Sequence, residues 1–207
     1  MTETTTAGAG PVPGRRERKK AATRKALADA ALELFLERGF DAVSIKDVAE
    51  AADVSTTTLF KHFPSKEALV FDMDADVEAA LVTAVRDRDP GTPLLDALRR
   101  HMLHARVFKP EHERQITAFH DLINSTPALF DYYRRMWMRH ARALAEAIAA
   151  DLGVDTDDPT CTALAHFTLE TRALTSTAPT PAATIEAAFD LLERGWHGVR
   201  PDRERSA

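Results

Sequence analysis

Residues 54–69 read VSTTTLFKHFPSKEAL. Three successive threonines make a poor helix interior, because β-branched side chains lose rotamer freedom against the preceding turn. Yet Val54, Leu59 and Phe63 are spaced like the inner face of something short and packed. Ser55 is a residue type that caps a helix N-terminus, Pro64 ends a helix, and Ser65 can cap the next. The stretch therefore predicts a short helix over 55–62. Leu59 and Phe63 hold it to a core, while Thr56, Thr57, Phe60 and Lys61 face out.

Upstream lies SIKDVAEAA, residues 44–52. Ser44 followed three residues later by Asp47 is a capping box with Asp in the Glu position. Ile45, Val48, Ala49 and Ala52 form one apolar stripe, and Asp53 stands in the break before the next helix. Before that, Ala22, Leu27, Ala30, Ala31, Leu34 and Phe35 recur at helical spacing. That helix stops at Gly39, which can take a left-handed conformation, and Phe40 can fold back on its last turn. Its start carries Arg15, Arg16, Arg18, Lys19 and Lys20. Positive charge there opposes the helix dipole unless an anion is near. A nucleic-acid phosphate is one such anion; a solvated basic arm is the alternative.

Two short helices joined by a tight turn, after a longer packing helix, form a helix-turn-helix, whose second helix lies in the major groove of DNA. Threonine suits that role. Its hydroxyl donates and accepts, and its methyl can touch a thymine methyl.

On these residues, ALELFLERGFDAVSIKDVAEAADVSTTTLFKHFPSKEAL, the chain resembles the N-terminal domain of the TetR family of bacterial one-component transcriptional repressors. The resemblance runs from about Arg16 to Leu69, roughly a quarter of the chain, and rests on Val54, Ser55, Thr58, Leu59, Phe60, Phe63, Ser65, Lys66 and Glu67 in register. It implies that Arg16 and Ser44 approach DNA, Ser44 at a phosphate. Thr56, Thr57 and Thr58 sit in the groove, Phe60, Lys61 and His62 lie along backbone or base edges, and Lys66 meets a phosphate. Three positions depart from the family pattern: Asp53 replaces the turn glycine, Thr57 a smaller residue, and Phe60 the commoner tyrosine, which deletes a hydroxyl.

The chain has 207 residues and a net charge of −5, which argues against indiscriminate nucleic-acid binding. The distribution is uneven. Residues 14–66 carry 11 Lys+Arg against 8 Asp+Glu, and residues 67–207 carry 16 against 23. A basic front and acidic back fit one face turned to a polyanion, although 20 Arg against 7 Lys is also what a GC-rich genome produces. Cys161 is the single cysteine, so no intrachain disulfide forms and a reducing compartment is expected. No apolar run suits a signal peptide or a membrane span. A cytoplasmic protein without membrane contact is expected.

Beyond residue 66 the pattern predicts helices at about 66–87, 93–109, 111–122, 127–151, 158–177 and 181–198, with turn chemistry between them. The expected fold is all-α: a disordered tail over 1–14, a three-helix DNA-binding domain over 15–65, a helical-bundle ligand and dimerisation domain over 66–200, and a tail over 201–207. No phosphate loop, Gly-x-Ser-x-Gly or Glu-x-x-His motif occurs. His101 and His104 share a helix face and His112 and His120 lie downstream, but scattered histidines are far more often solvated or core residues than metal ligands. No cofactor or metal is expected.

An aromatic stripe of Phe130, Tyr133, Trp137 and His140 on the 127–151 helix marks a candidate ligand site. Met102, Arg106, Phe119 and His120 are its expected companions. Plain core packing is the alternative. Leu164, Thr168, Ile185, Phe189, Leu192 and Trp196 are the expected dimer face, because the family pairs its last two helices across a two-fold axis. The resemblance implies a homodimeric repressor that leaves a palindromic DNA operator when a small, mostly apolar effector binds. A ligand-independent DNA-binding protein and a bundle enzyme with a DNA-binding front remain as rivals.

Overall fold

The computed structural model describes residues 14–104, 113–175 and 178–199, without the side chains of 113–115 and 196–199. The tails expected at the two ends lie outside the described residues, apart from Gly14, and so do Arg106 and the Trp196 side chain. Among the described residues the fold is all-α, with nine α-helices and one short 3-10 turn. The chain divides into two compact units, Met1–Asp72 and Met73–Ala207.

In the first unit, α1 (Arg15–Arg38) buries Leu27, Ala28, Ala31 and Phe35. Ala22, expected on the same stripe, is exposed. Gly39 ends the helix, its N–H bonding the Phe35 carbonyl at 2.9 Å. At φ 84° and ψ 151° it takes the positive φ open to glycine, but in an extended rather than left-handed helical form. Phe40 then folds back, its ring centroid 5.0 Å from that of Phe35. Next come α2 (Ile45–Ala51) and α3 (Thr56–His62), and Val48, Ala49, Leu59 and Phe63 complete the core.

The helix expected over 66–87 is broken. A 3-10 turn spans Glu67–Leu69, further turns follow, and α4 (Asp74–Arg86) starts afresh. The cause is burial of four consecutive residues, Ala68, Leu69, Val70 and Phe71. A helix turns about 100° per residue, so it cannot hide four successive side chains on one face. This segment belongs to the first unit, which therefore runs on to Asp72, past the boundary expected at residue 65.

In the second unit α4 is followed by α5 (Leu94–His104), α6 (Glu113–Ser125), α7 (Pro127–Leu152), α8 (Pro159–Thr175) and α9 (Pro181–Val199). The long α7 packs on α4, α6 and α8, and α9 closes on α5 and α8. The core joins Leu81, Val85, Leu98, Met102, Leu144, Ile148, Leu164, Ile185 and Phe189. Gly153, at φ 66°, ends α7 in the left-handed conformation. No helix among the described residues is long and apolar enough to cross a membrane.

Candidate nucleic-acid interface and helical groove

The turn between α2 and α3 is built by Asp53, whose φ is 51°, the one positive φ outside glycine among the described residues. Asp tolerates this geometry better than most residues. The Val54 N–H reaches back to the Ala49 carbonyl at 2.9 Å and locks the turn. At the start of α3, Ser55 Oγ accepts the Thr58 N–H at 3.1 Å and lies 2.9 Å from the Thr58 hydroxyl. Thr58 is thus half-buried and spent on its own helix cap. Thr56 and Thr57 are exposed, and Phe60, at 54% exposure, and Lys61 lie on the outer face with them. Leu59 and Phe63 are fully buried beneath. Arg16 is exposed near the start of α1, one of the run of basic residues there.

Ser44 caps α2 in a complete capping box. Its N–H and its hydroxyl both donate to Asp47 Oδ2, at 2.7 and 2.6 Å, while its hydroxyl accepts the Asp47 N–H. These hydrogen bonds hold the Asp47 carboxyl below its usual range. A phosphate reaching Ser44 competes with Asp47 for both donors.

Lys66 does more than face solvent. Its ammonium donates to the Phe40 carbonyl at 2.5 Å and lies 4.2 Å from the Phe40 ring centroid. Burial pushes its pKa down, and Asp41, Glu67 and Asp47 push it back up. His62 is half-buried, and its carbonyl accepts Arg24 Nη1 at 2.6 Å. Arg24 Nη2 donates to the Asp72 carbonyl at 2.9 Å, and the guanidinium stacks 4.1 Å over Phe63. Arg24 therefore ties α1, the end of α3 and the end of the first unit together. Sequence reasoning missed it, because a charged residue on a helix reads as solvated.

In the second unit a groove of about 440 Å³ runs between α7 and α8. Phe130, Tyr133 and Trp137 line it from α7, and His166, Leu169, Glu170 and Arg172 from α8. The Arg172 guanidinium lies 4.0 Å over the Trp137 ring and hydrogen-bonds the Tyr133 hydroxyl. The other expected ligand residues are elsewhere. Met102 is 3% exposed, within the core. Phe119 and His120 are half-buried neighbours on α6, and neither lines the groove. His140 is fully buried beneath Trp137, with Nε2 2.7 Å from Asp74 Oδ1 on α4. At about 100° per residue, His140 stands about 60° round α7 from Trp137 and about 100° from Ala141, which turns it away from the groove those two residues line.

Most of the expected dimer face is covered within a single chain. Leu164, Thr168, Ile185 and Phe189 are at most 6% exposed inside this single chain, and Leu192 is half-buried against the same core. Their apolar spacing reports intrachain packing. The outer faces of α8 and α9 instead expose Phe167 and Leu174 at 57% and Leu191 at 72%. Phe167 and Leu191 line an apolar groove with Ala163, Leu192 and Gly195. No group of three or more metal-ligating side chains occurs among the described residues.

Comparison with known proteins agrees with this architecture. Residues 27–73 match the family described as Bacterial regulatory proteins, tetR family, and residues 92–197 match the MftR C-terminal domain. The HTH-type transcriptional regulator TcmR of Streptomyces glaucescens is 37% identical over 153 residues, covering 70% of this chain and 67% of that protein. The putative mycofactocin biosynthesis transcriptional regulator MftR of Mycobacterium tuberculosis is 30% identical over 141 residues, covering 68% and 71%. Among solved structures, NalD of Pseudomonas aeruginosa, a repressor of a multidrug efflux pump, has a TM-score of 0.56 at 23% identity, covering 86% of this chain and 97% of its own. A SmeT–triclosan complex has a TM-score of 0.56 at 19% identity, covering 84% and 91%. The relatives are transcriptional regulators rather than enzymes. With a helix-turn-helix in the first unit and a helical bundle matched over residues 92–197 in the second, the chain belongs to the TetR family of bacterial DNA-binding transcriptional regulators.

Proposed function

We propose that this regulator is a homodimeric repressor that binds a palindromic operator and leaves it when a small, mostly apolar effector enters the α7–α8 groove. One observation carries the DNA-reading part. Thr56 and Thr57 stand exposed at the start of α3, the hydroxyl that caps this helix belongs to Ser55, and the Thr58 hydroxyl is bonded to it. Thr56 and Thr57 are therefore the residues assigned to base edges, with Phe60 and Lys61 beside them. Arg16 and Ser44 are assigned to phosphates, Ser44 once it exchanges its Asp47 bonds. A two-fold dimer matches two half-sites about 34–36 Å apart. An effector that prefers the state with mis-spaced α3 helices lowers operator affinity by the ratio of its affinities for the two states.

The groove supports the effector part, with Phe130, Tyr133, Trp137 and Leu169 as apolar walls and Arg172 as a polar tip. The outer α8–α9 face, with Phe167, Leu174 and Leu191, is assigned to the partner subunit. The test is fluorescence anisotropy on DNA flanking the protein's own gene. Affinity should fall steeply with salt, because several phosphates are contacted. Triclosan, found in complex with SmeT, is the first compound to titrate. Equal affinity for the flanking DNA and for a scrambled duplex would overturn sequence-specific repression.

A further inference from the structure

Building on the effector site just proposed, we infer that the bound molecule carries a hydroxyl group, received by a buried polar nest of Trp137, His140 and Thr168. Trp137 Nε1, His140 Nδ1 and Thr168 Oγ1 are buried, and none has a hydrogen-bond partner among the described residues. Three such atoms in one place are unusual, because a buried polar group without a partner forfeits its hydration for nothing.

Their closeness follows from the helices. Trp137 and His140 lie on one side of α7, and their rings meet edge to face with centroids 4.9 Å apart. The α7 and α8 helices run antiparallel: Arg172 stands over Trp137, while the earlier Thr162 and His166 share a cleft with the later Arg142 and Glu146. One turn back from Arg172 on α8 is Thr168. One turn on from Trp137 on α7 is His140 with Ala141. Thr168 therefore stands level with His140 along the antiparallel pair, and its side chain is fully buried. Trp137 also lines the groove, so the nest adjoins it.

The chemistry of the three atoms selects the group. The indole N–H only donates. The Asp74 carboxylate, 2.7 Å from His140 Nε2, accepts, so Nε2 carries a hydrogen and Nδ1 is left over. Asp74 also takes Arg139 at 2.6 Å, and Glu78 lies 3.9 Å from His140. If His140 is neutral, Nδ1 accepts; if it is charged, Nδ1 donates. A hydroxyl serves both forms, accepting from Trp137 while donating to or accepting from Nδ1, and Thr168 adapts by rotation. A carboxylate fits only the charged form, and there it competes with Asp74 as counter-ion. An effector without a polar group leaves all three atoms unpaired. The class is thus a phenol or alcohol on an apolar body. Through His140 its hydroxyl is linked to Asp74 in the first turn of α4.

The test uses 2-naphthol, 2-methylnaphthalene and 2-naphthoate on the whole protein. The chain has two tryptophans, so the 15N-labelled protein gives two indole N–H resonances, and Trp196→Phe identifies that of Trp137. The expected result is a downfield shift of the Trp137 resonance with 2-naphthol and none with 2-methylnaphthalene. Calorimetry should show 2-naphthol binding more tightly than the other two, and weakened about 2- to 10-fold by the near-isosteric Thr168→Val, the worth of one hydrogen bond. An unmoved Trp137 resonance, equal affinity for the methyl compound, or unchanged binding in Thr168→Val overturns the inference. If 2-naphthol binds as expected but leaves the DNA complex intact, the nest stands and effector release fails. If other compounds release DNA with the Trp137 resonance undisturbed, release stands and the nest falls.

Discussion

Lys61 and Lys66 carry the same charge on neighbouring turns, but their surroundings differ. Lys61 projects from the outer face of α3, while Lys66 is half-buried against the Phe40 ring and carbonyl. A hydrogen bond from a charged group contributes about 1.5–3 kcal/mol, whereas an exposed side chain away from such features changes stability by about 0.5 kcal/mol or less. Lys66→Ala should therefore lower unfolding free energy by about 1–3 kcal/mol in urea titrations. Lys61→Ala should leave stability alone, weaken binding to all DNA sequences, and flatten the salt slope by about 1. Full stability in Lys66→Ala, with lost DNA affinity, would make Lys66 a phosphate contact, as the family resemblance implies. His62 offers a pH test. Burial first, then Lys20 and Arg24, hold it below the ordinary histidine value of 6.5. Its folded pKa lies below its unfolded one, so stability from this group is fully present above pH 6.5 and is lost as pH falls from there through the lower folded value. A nearby phosphate reverses the direction in the complex, raising the pKa so that binding takes up a proton. DNA affinity at constant ionic strength should therefore rise as pH falls from about 7.5 to about 5.5, and His62→Gln should flatten the profile. The same slope in both proteins would remove His62 from the phosphate backbone.

The α2–α3 pair was legible in the sequence because its signals are local. Ser44 with Asp47, Ser55, Pro64 and the spacing of Leu59 and Phe63 each act within a few residues, and the caps form as expected. Asp53 is a further local signal, and its φ of 51° sets a prediction. Asp53→Gly should raise stability by up to about 1 kcal/mol, because glycine reaches positive φ without strain. Asp53→Val should cost about 1–3 kcal/mol, since a β-branched residue there is strained. Thermal denaturation of both variants decides it, and identical melting would mean the turn relaxes. What the sequence concealed depends on partners far along the chain. Nothing between Lys66 and Met73 is glycine or proline, so the break there comes from four buried neighbours rather than from punctuation. The Asp74–His140 contact spans most of the second unit's first half and leaves no pattern in either helix. Arg172 and His166 are not among the expected ligand residues, yet they help form one wall of the groove.

The last two helices show why apolar spacing alone does not fix which surface joins two copies. Both α8 and α9 are apolar on two sides, one side filling their own core and the other left outside. Periodicity detects a stripe but not which neighbour covers it. Ile185 and Phe189 face inward, so they are intrachain residues, while Phe167, Leu174 and Leu191 remain uncovered within one chain. Natural surfaces seldom leave several large apolar side chains together without use. Small residues at Ala163 and Gly195 beside them allow a second helix pair to approach closely. If that face joins two copies, each carries the same patch across a two-fold axis, and the axis is what matches a palindrome. Leu191→Glu and Phe167→Glu should then give folded monomers by light scattering, with native helical circular dichroism. Each subunit would still meet one half-site, so affinity for a palindrome should drop towards that for a single half-site. Phe189→Glu should behave differently, because an unpaired charge at a position with no exposure costs several kcal/mol and the chain should unfold rather than separate. If Leu191→Glu and Phe167→Glu both remain dimers, the two-fold contact lies on another face, and the spacing of the two α3 helices is set from there.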